Sequence, residues 1–414
     1  MSTPQQPAQS FVHGSPVRSD EPRVRLYTPE FAADPHNAYR AMRREFRSMV
    51  PVELSPGVPA TLVIGYRTAL QILNDPAHFP ADPRVWQRNI PASCPIRPML
   101  EWRPVASRST GSDFLRYRRA TASSINAVDL FALHDTVESI AVPMINSFCQ
   151  DGSADLIRQY VFPLVFQVVN ALLGCSPEIG QRLATATAAI VEAVDAEEGN
   201  KLLSAALLEL VTLKKAEPQD DITSHLLQDP ADLTTEEAIH HVAQIYGTGI
   251  EFLLNLIVNT LLLIVTDERF GGRVLGGVLT ARDALDEVLF NDPPLANLLI
   301  SFPPHPILID EVWLPAHQPV VISMAACNND PAIRTDDMAG NCSHLAWGVG
   351  QHACPAQSLA YLVAQDAIDQ LLDAIPEIRL NHKADVPTWR PGPFHRALTA
   401  LPVQFQPTSP LGTG

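Results

Sequence analysis

One stretch of this chain is committed to a helix too long to sit at the edge of a fold. In DLTTEEAIHH, Thr234 and Glu237 stand in the spacing of a capping box, and apolar residues at helical intervals continue to about Thr266. At the standard rise, ~30 residues make a rod of ~45 Å, long enough to cross a whole domain. Its middle reads YGTGIEFLLN, with Gly247 and Gly249 two residues apart. Each costs a helix interior about 1 kcal/mol relative to alanine. Three causes fit such a pair: a local distortion, close packing of another helix, or close approach of a flat ligand.

From Asp113 to about Asp373 the period is helical, broken by Pro and Gly. Strand-like runs are short: Thr61 to Ile64, Ile307 to Ile309 with Val312 and Trp313, and Val320 to Ser323. The expected class is mainly α with small β-sheets. The segment from Pro80 to Arg108 is rich in Pro and Arg without a clear period and reads as an ordered loop over a binding site. Residues 1–24 are polar and rich in Pro and Ser and read as a flexible arm; 25–414 reads as a single domain without repeat or linker.

With 46% hydrophobic residues, 414 residues can bury a large core without covalent staples. The greasy run from Leu253 to Val265 is interrupted by Asn259 and Thr260 and is shorter than the about 20 residues of a membrane span. A cytoplasmic protein with no membrane partner is therefore expected. The net charge of −16, without a basic stripe, opposes nucleic-acid binding and leaves a small molecule or a protein as partner. Six cysteines without a CxxC pair argue against disulfides and zinc, so each is judged singly.

Cys354 stands out, in HLAWGVGQHACPAQSL. Gly348 and Gly350 permit a tight bend close to a planar group, Pro355 suits a first helical position, and a helical period follows from Leu359. Two readings remain: a core thiol on a turn, or a thiolate at a helix N-terminus, the ligand type that haem iron uses for O–O cleavage.

The stretch WGVGQHACPA resembles the haem-binding signature of the cytochrome P450 family, aromatic-G-x-G-x-H/R-x-C-x-G/A, with Trp347 where phenylalanine is usual. The likeness extends to DPHNAYRAMRR, to TLVIGYRTALQILNDPAHFPAD, and to DFLRYRRATASSI, which resembles the helix carrying a haem-propionate arginine. It implies the P450 fold, a helical triangular prism around haem b, with Cys354 as metal ligand. It also implies contributions from Trp347, Gly348, Gly350, His352, Arg118 and His305 to the haem site. Guanidinium groups suit the two propionates because they bind carboxylate bidentately. Arg116 and Arg119 are either further anchors or solvated surface residues. In the long helix the family's AGxET pattern becomes Thr248, Gly249, Ile250, Glu251, Phe252: Gly249 would make room for dioxygen and Glu251 is the acid, a proton relay or a packed helix residue.

Two positions depart from the family pattern. Phe252 stands where a threonine hydroxyl usually assists proton delivery. In ALDEVLFNDPPL, Glu287 of the E-x-x-R motif is present but Phe290 replaces the arginine, and Arg334 lies too early to complete the network. Loss of both arginines reads as replacement by apolar packing. The leading expectation is a haem-thiolate monooxygenase acting on a small apolar molecule with electrons from a ferredoxin-type partner. The alternatives are a peroxide-driven, coupling or rearrangement enzyme, and a haem-binding protein with little turnover that serves in a signalling complex.

Overall fold

The computed structural model describes residues 23–191, 196–270, 280–333, 343–382 and 387–412. Ten short strands are present among them: β1 (Val24–Arg25), β2 (Met49–Ser55), β3 (Val58–Val63), β4 (Ser153–Asp155), β5 (Leu299–Ser301), β6 (Ile307–Ile309), β7 (Val312–Leu314), β8 (Val320–Ile322), β9 (Arg379–Leu380) and β10 (Pro402–Gln404). They form a five-stranded sheet in the order β1-β2-β3-β8-β5, a three-stranded sheet β4-β10-β9, and the hairpin β6-β7. Helices make up the bulk. Five frame the site: α1 (Gly111–Asn126), α2 (Phe162–Leu173), α3 (Thr235–Thr266), α4 (Ala281–Asn291) and α5 (Gln357–Ala374).

The sequence places α3 correctly at both ends, because its capping chemistry is local. The Thr234 hydroxyl accepts from the Glu237 N–H at 3.2 Å, and the Glu237 carboxylate accepts from the Thr234 N–H at 2.8 Å. Val242, Ile250, Leu256, Ile257 and Leu261 are buried along it, in a core shared with α2, α4 and α5. By length and composition α3 would span a membrane, but 56% of its apolar window is buried inside the fold. Its hydropathy is thus accounted for by a central position.

The sheets differ from expectation in detail. Val24 pairs with Val52 in the parallel β1–β2 register, so it belongs to the sheet and not to the expected arm, whose residues 1–22 lie outside those described. Ser323 ends the VVIS run by capping the helix Met324–Asn328, its hydroxyl accepting from the Ala326 N–H. The 80–108 segment contains short helical turns at Trp86–Asn89, Arg97–Leu100 and Ala106–Arg108, and is pinned where the buried Trp86 ring meets Phe302 at 5.5 Å.

Phe290 shows how the lost arginine is replaced. Its ring is 4% exposed and meets the imidazole of His344 edge-on at 6.3 Å. Glu287 has turned outward to Arg269, at 2.6 Å and with the arginine side chain 56% exposed, a pair of small energetic value. Polar tying has moved to neighbouring residues. The carboxylate of Asp292 accepts from Arg396 at 3.2 Å and meets His36 at 3.0 Å, while the buried Asn328 accepts from the Leu345 N–H at 2.7 Å and donates to the Leu289 carbonyl. Asn328 therefore joins the C-terminal end of α4 to the start of the cysteine loop. Arg334 lies in 334–342, outside the described residues.

Candidate functional site

The Cys354 loop folds as its glycines demand. Gly348 and Gly350 adopt φ of +69° and +72°, a region that costs other residues strain. A Cβ on Gly350 would also lie 2.7 Å from the Leu73 carbonyl oxygen. The Trp347 carbonyl accepts from the Cys354 N–H at 2.7 Å, which closes the loop, and the Trp347 ring packs against the main core. Helix α5 starts later than the sequence suggests: Ala356 is its cap and Gln357 its first residue, so Pro355 precedes the helix. Burial pushes the Cys354 thiol up, while the Ala356 N–H and the charge of Arg118 pull it down.

Beside it stand Arg118 and His352. Arg118, half-buried on α1, has no hydrogen-bond or ion-pair partner among the described residues; burial lowers its pKa and the Cys354 charge opposes that. Burial and then Arg118 bring His352 down to about 4, so its imidazole is neutral near pH 7, and the ring packs on Phe114 at 4.6 Å. The neighbouring arginines are otherwise engaged. Arg116 is ion-paired to Glu237, which also accepts from the Tyr117 hydroxyl at 2.7 Å, and Arg119 is exposed. Burial raises the Glu237 carboxyl, but the bonds from Arg116 and Tyr117 outweigh it and hold it at about 2.

Val349 and His352 line a cavity of about 950 Å³, counting the solvent space at its mouth. Its walls are mostly apolar, with Ile72, Phe79, Leu298 and Leu299 among them, and Gln244 and Thr248 of α3 also face it. Three segments supply most of the wall: Ala81, Ser107 and Arg108 come from the 80–108 loop, Gln244 and Thr248 from mid-helix, and Leu298 to Ser301 from the stretch around β5. Gln244 donates to the Ser107 hydroxyl at 2.6 Å, and the Thr248 hydroxyl donates to the Gln244 carbonyl at 2.7 Å.

Four expected site residues, Gly249, Glu251, Phe252 and His305, lie outside the residues that line the cavity. Gly249 does not open the cavity: it faces α2, where a Cβ would lie 3.4 Å from Val169. The open position is Gly247, where a Cβ would meet no atom within 4 Å. Gly247 is exposed and, like Gly249, lies outside the residues that line the cavity; Gly249 is accounted for by helix packing. Glu251 is ion-paired with Arg390 and also accepts from Asn255 at 3.2 Å, so it is neither idle nor among the residues lining the cavity. Phe252 is partly buried one turn beyond Thr248 and is likewise absent from the lining. His305 is exposed just before β6 and does not reach the cavity, because the β6–β7 hairpin carries its segment outward.

Sequence reading missed Arg108, Ser107 and Gln244. Ser107 and Arg108 lie in the segment read as a loop over a binding site, where nothing local singles them out, and Gln244 lies on the stripe that reaches Thr248 at i+4, a spacing visible in the sequence once one of them is known to face the cavity.

These residues fit haem. A thiol on a glycine loop lies beside the Arg118 guanidinium, which has no counter-anion among the described residues, and the His352 imidazole, next to a largely apolar cavity faced by Gln244 and Thr248 of α3. The guanidinium of Arg118, without a counter-anion among the described residues, suits a haem propionate.

No family model matches the chain. Curated proteins do: it is 26% identical over 391 residues to the cytochrome P450 monooxygenase PikC of Streptomyces venezuelae, covering 91% of this chain and 92% of that protein. It is also 26% identical over 400 residues to the vitamin D(3) 25-hydroxylase of Pseudonocardia autotrophica, covering 93% and 97%. Among solved structures, CYP154C4 from Streptomyces sp. W2061 superposes with a TM-score of 0.83 at 25% identity, over 95% of this chain and 99% of that one. Likeness along nine-tenths of its length makes the chain similar to bacterial cytochrome P450s, and it shares their fold.

Proposed function

We propose that the chain is a haem-thiolate monooxygenase that binds haem b through Cys354 and oxidises a small, largely apolar molecule with electrons from a ferredoxin-type protein. The observation that carries this reading is the grouping of Cys354, His352 and Arg118 beside an apolar cavity that also exposes Gln244 and Thr248 of α3. Relatives named as monooxygenases and hydroxylases match over nearly the whole chain and support it. A cytoplasmic location is part of this reading, supported by the burial of the apolar helix α3 inside the fold.

Bound haem supplies the oxygen chemistry. The residues do the rest. The Ala356 N–H and the Arg118 charge stabilise the Cys354 thiolate, and burial keeps water from competing for the sulfur. Arg118, with neutral His352 near it, serves the propionates, while Trp347 steadies the loop through its carbonyl. In the cavity wall the Thr248 hydroxyl is an alcohol on the same helical face as Phe252, able to hold a water by switching from the Gln244 carbonyl. Glu251 passes a proton toward the cavity only if it leaves Arg390.

That ion pair, together with Phe252, favours a second reading: a P450-like haem protein driven by peroxide, or one with little turnover that acts within a signalling complex. The test is to supply the haem-loaded chain with a ferredoxin and its reductase, labelled dioxygen and a panel of apolar ligands. One labelled oxygen atom in a product supports the monooxygenase; release of peroxide alone, with product formed only from added peroxide, supports the second reading.

A further inference from the structure

Arg108 is the charged residue in the cavity wall that the haem-loop signature does not explain. It closes the short helical turn Ala106–Arg108. Its guanidinium is surrounded by protein on nearly all sides, yet the side chain stays partly accessible because the space before it is the cavity. One arm of its fork donates to the Met99 carbonyl at 2.6 Å and the other makes a long contact of 3.4 Å to the Ser107 carbonyl. Among the described residues it has no carboxylate partner, and the charge it feels most is that of another cation, Arg103. In a chain of net charge −16, such a group is conspicuous. An enclosed guanidinium without an anion is costly unless a ligand supplies one.

Its surroundings differ from those of Arg118. Arg118 acts on Cys354 and His352, on the thiolate side. Arg108 follows Ser107, whose hydroxyl accepts from Gln244 on α3, and it lines the cavity together with Gln244 and Thr248. A cation with two hydroxyls and an amide there faces leucine and isoleucine side chains elsewhere in the cavity.

We infer that Arg108 is a carboxylate-binding residue of this cavity, placed to hold an amphipathic carboxylic acid by its anionic end while the apolar walls take its chain. The inference rests on the haem-enzyme reading and narrows its substrate class. The same chemistry has a second source, a haem propionate, and the two are separable by experiment.

Haem-loaded chain, wild type and Arg108→Gln, is titrated with dodecanoic acid and with its methyl ester while the Soret band is followed. Haem loss to apomyoglobin is measured for protein reconstituted with haem or with its dimethyl ester. If a substrate carboxylate binds, Arg108→Gln weakens the acid by about tenfold or more, leaves the ester within about threefold, and leaves haem loss unchanged. If a propionate binds, the variant loses haem about tenfold faster, but the dimethyl ester at the wild-type rate. Arg108→Lys keeps the charge without the fork and should restore part of either effect; it also serves if the glutamine variant does not fold. Equal weakening of acid and ester, or no change in any of the four measurements, overturns the inference and leaves Arg108 as a tie to the Met99 carbonyl. Failure of the wild-type chain to bind haem overturns the enzyme reading and this inference together.

Discussion

On the Cys354 side of the cavity, the glycine angles, the closing Trp347–Cys354 hydrogen bond and the unpaired Arg118 all sit where the family signature leads one to look. On the α3 side the chain has been rewritten. The acid at 251 is held by Arg390, the alcohol lies at Thr248 instead of 252, and a cation enters from the 80–108 loop. The contrast has a physical basis. A metal ligand is constrained by one atom and the tight loop that aims it. A proton route and a substrate wall need only suitable groups at suitable distances, which any turn of a helix or a nearby loop can supply.

The largest effect expected is on the intact side. Cys354→Ala should abolish the thiolate signature of the haem spectrum and weaken haem binding by about a hundredfold or more, as read by haem transfer to apomyoglobin. Next comes the packing that stands in for the family's ion network. Phe290→Ala should destabilise the fold by about 3–5 kcal/mol in urea unfolding, because it removes a ring that is 4% exposed beneath the cysteine loop. On the rewritten side, Phe252→Thr should raise the fraction of electrons reaching product by on the order of tenfold and lower released peroxide, within the range of a placed proton donor. An unchanged ratio would mean that Thr248 already serves, or that turnover does not pass through this face. The smallest effect is expected for Glu287→Gln, at less than about 1 kcal/mol, since its arginine partner is more than half exposed. A large loss there would show that Glu287 keeps the structural weight it has in the family pattern.

Much of this was legible in the sequence where one residue or one local pattern decides the outcome. Thr234 and Glu237 fixed the start of α3, the glycine spacing marked the bend before Cys354, and Phe290 announced that an ion network had become apolar packing. What stayed hidden depends on which way a side chain turns. Gly247 and Gly249 are equivalent in the sequence, and only the packing of Val169 shows which of them lies against a neighbouring helix. Glu251 carries its charge in the expected place, but Arg390, far along the chain, determines where that charge goes. Arg108 looks like one more arginine in a Pro- and Arg-rich loop until its lack of an anionic partner among the described residues is seen.

The central claim, that Cys354 places a thiolate on haem iron, is tested most directly by the spectrum of the reduced, carbon monoxide-bound protein. The account predicts a Soret band shifted to the red, near the wavelength from which the family takes its name. A band at the shorter wavelength of a histidine- or thiol-ligated haem, or no haem at all in the purified chain, would contradict it.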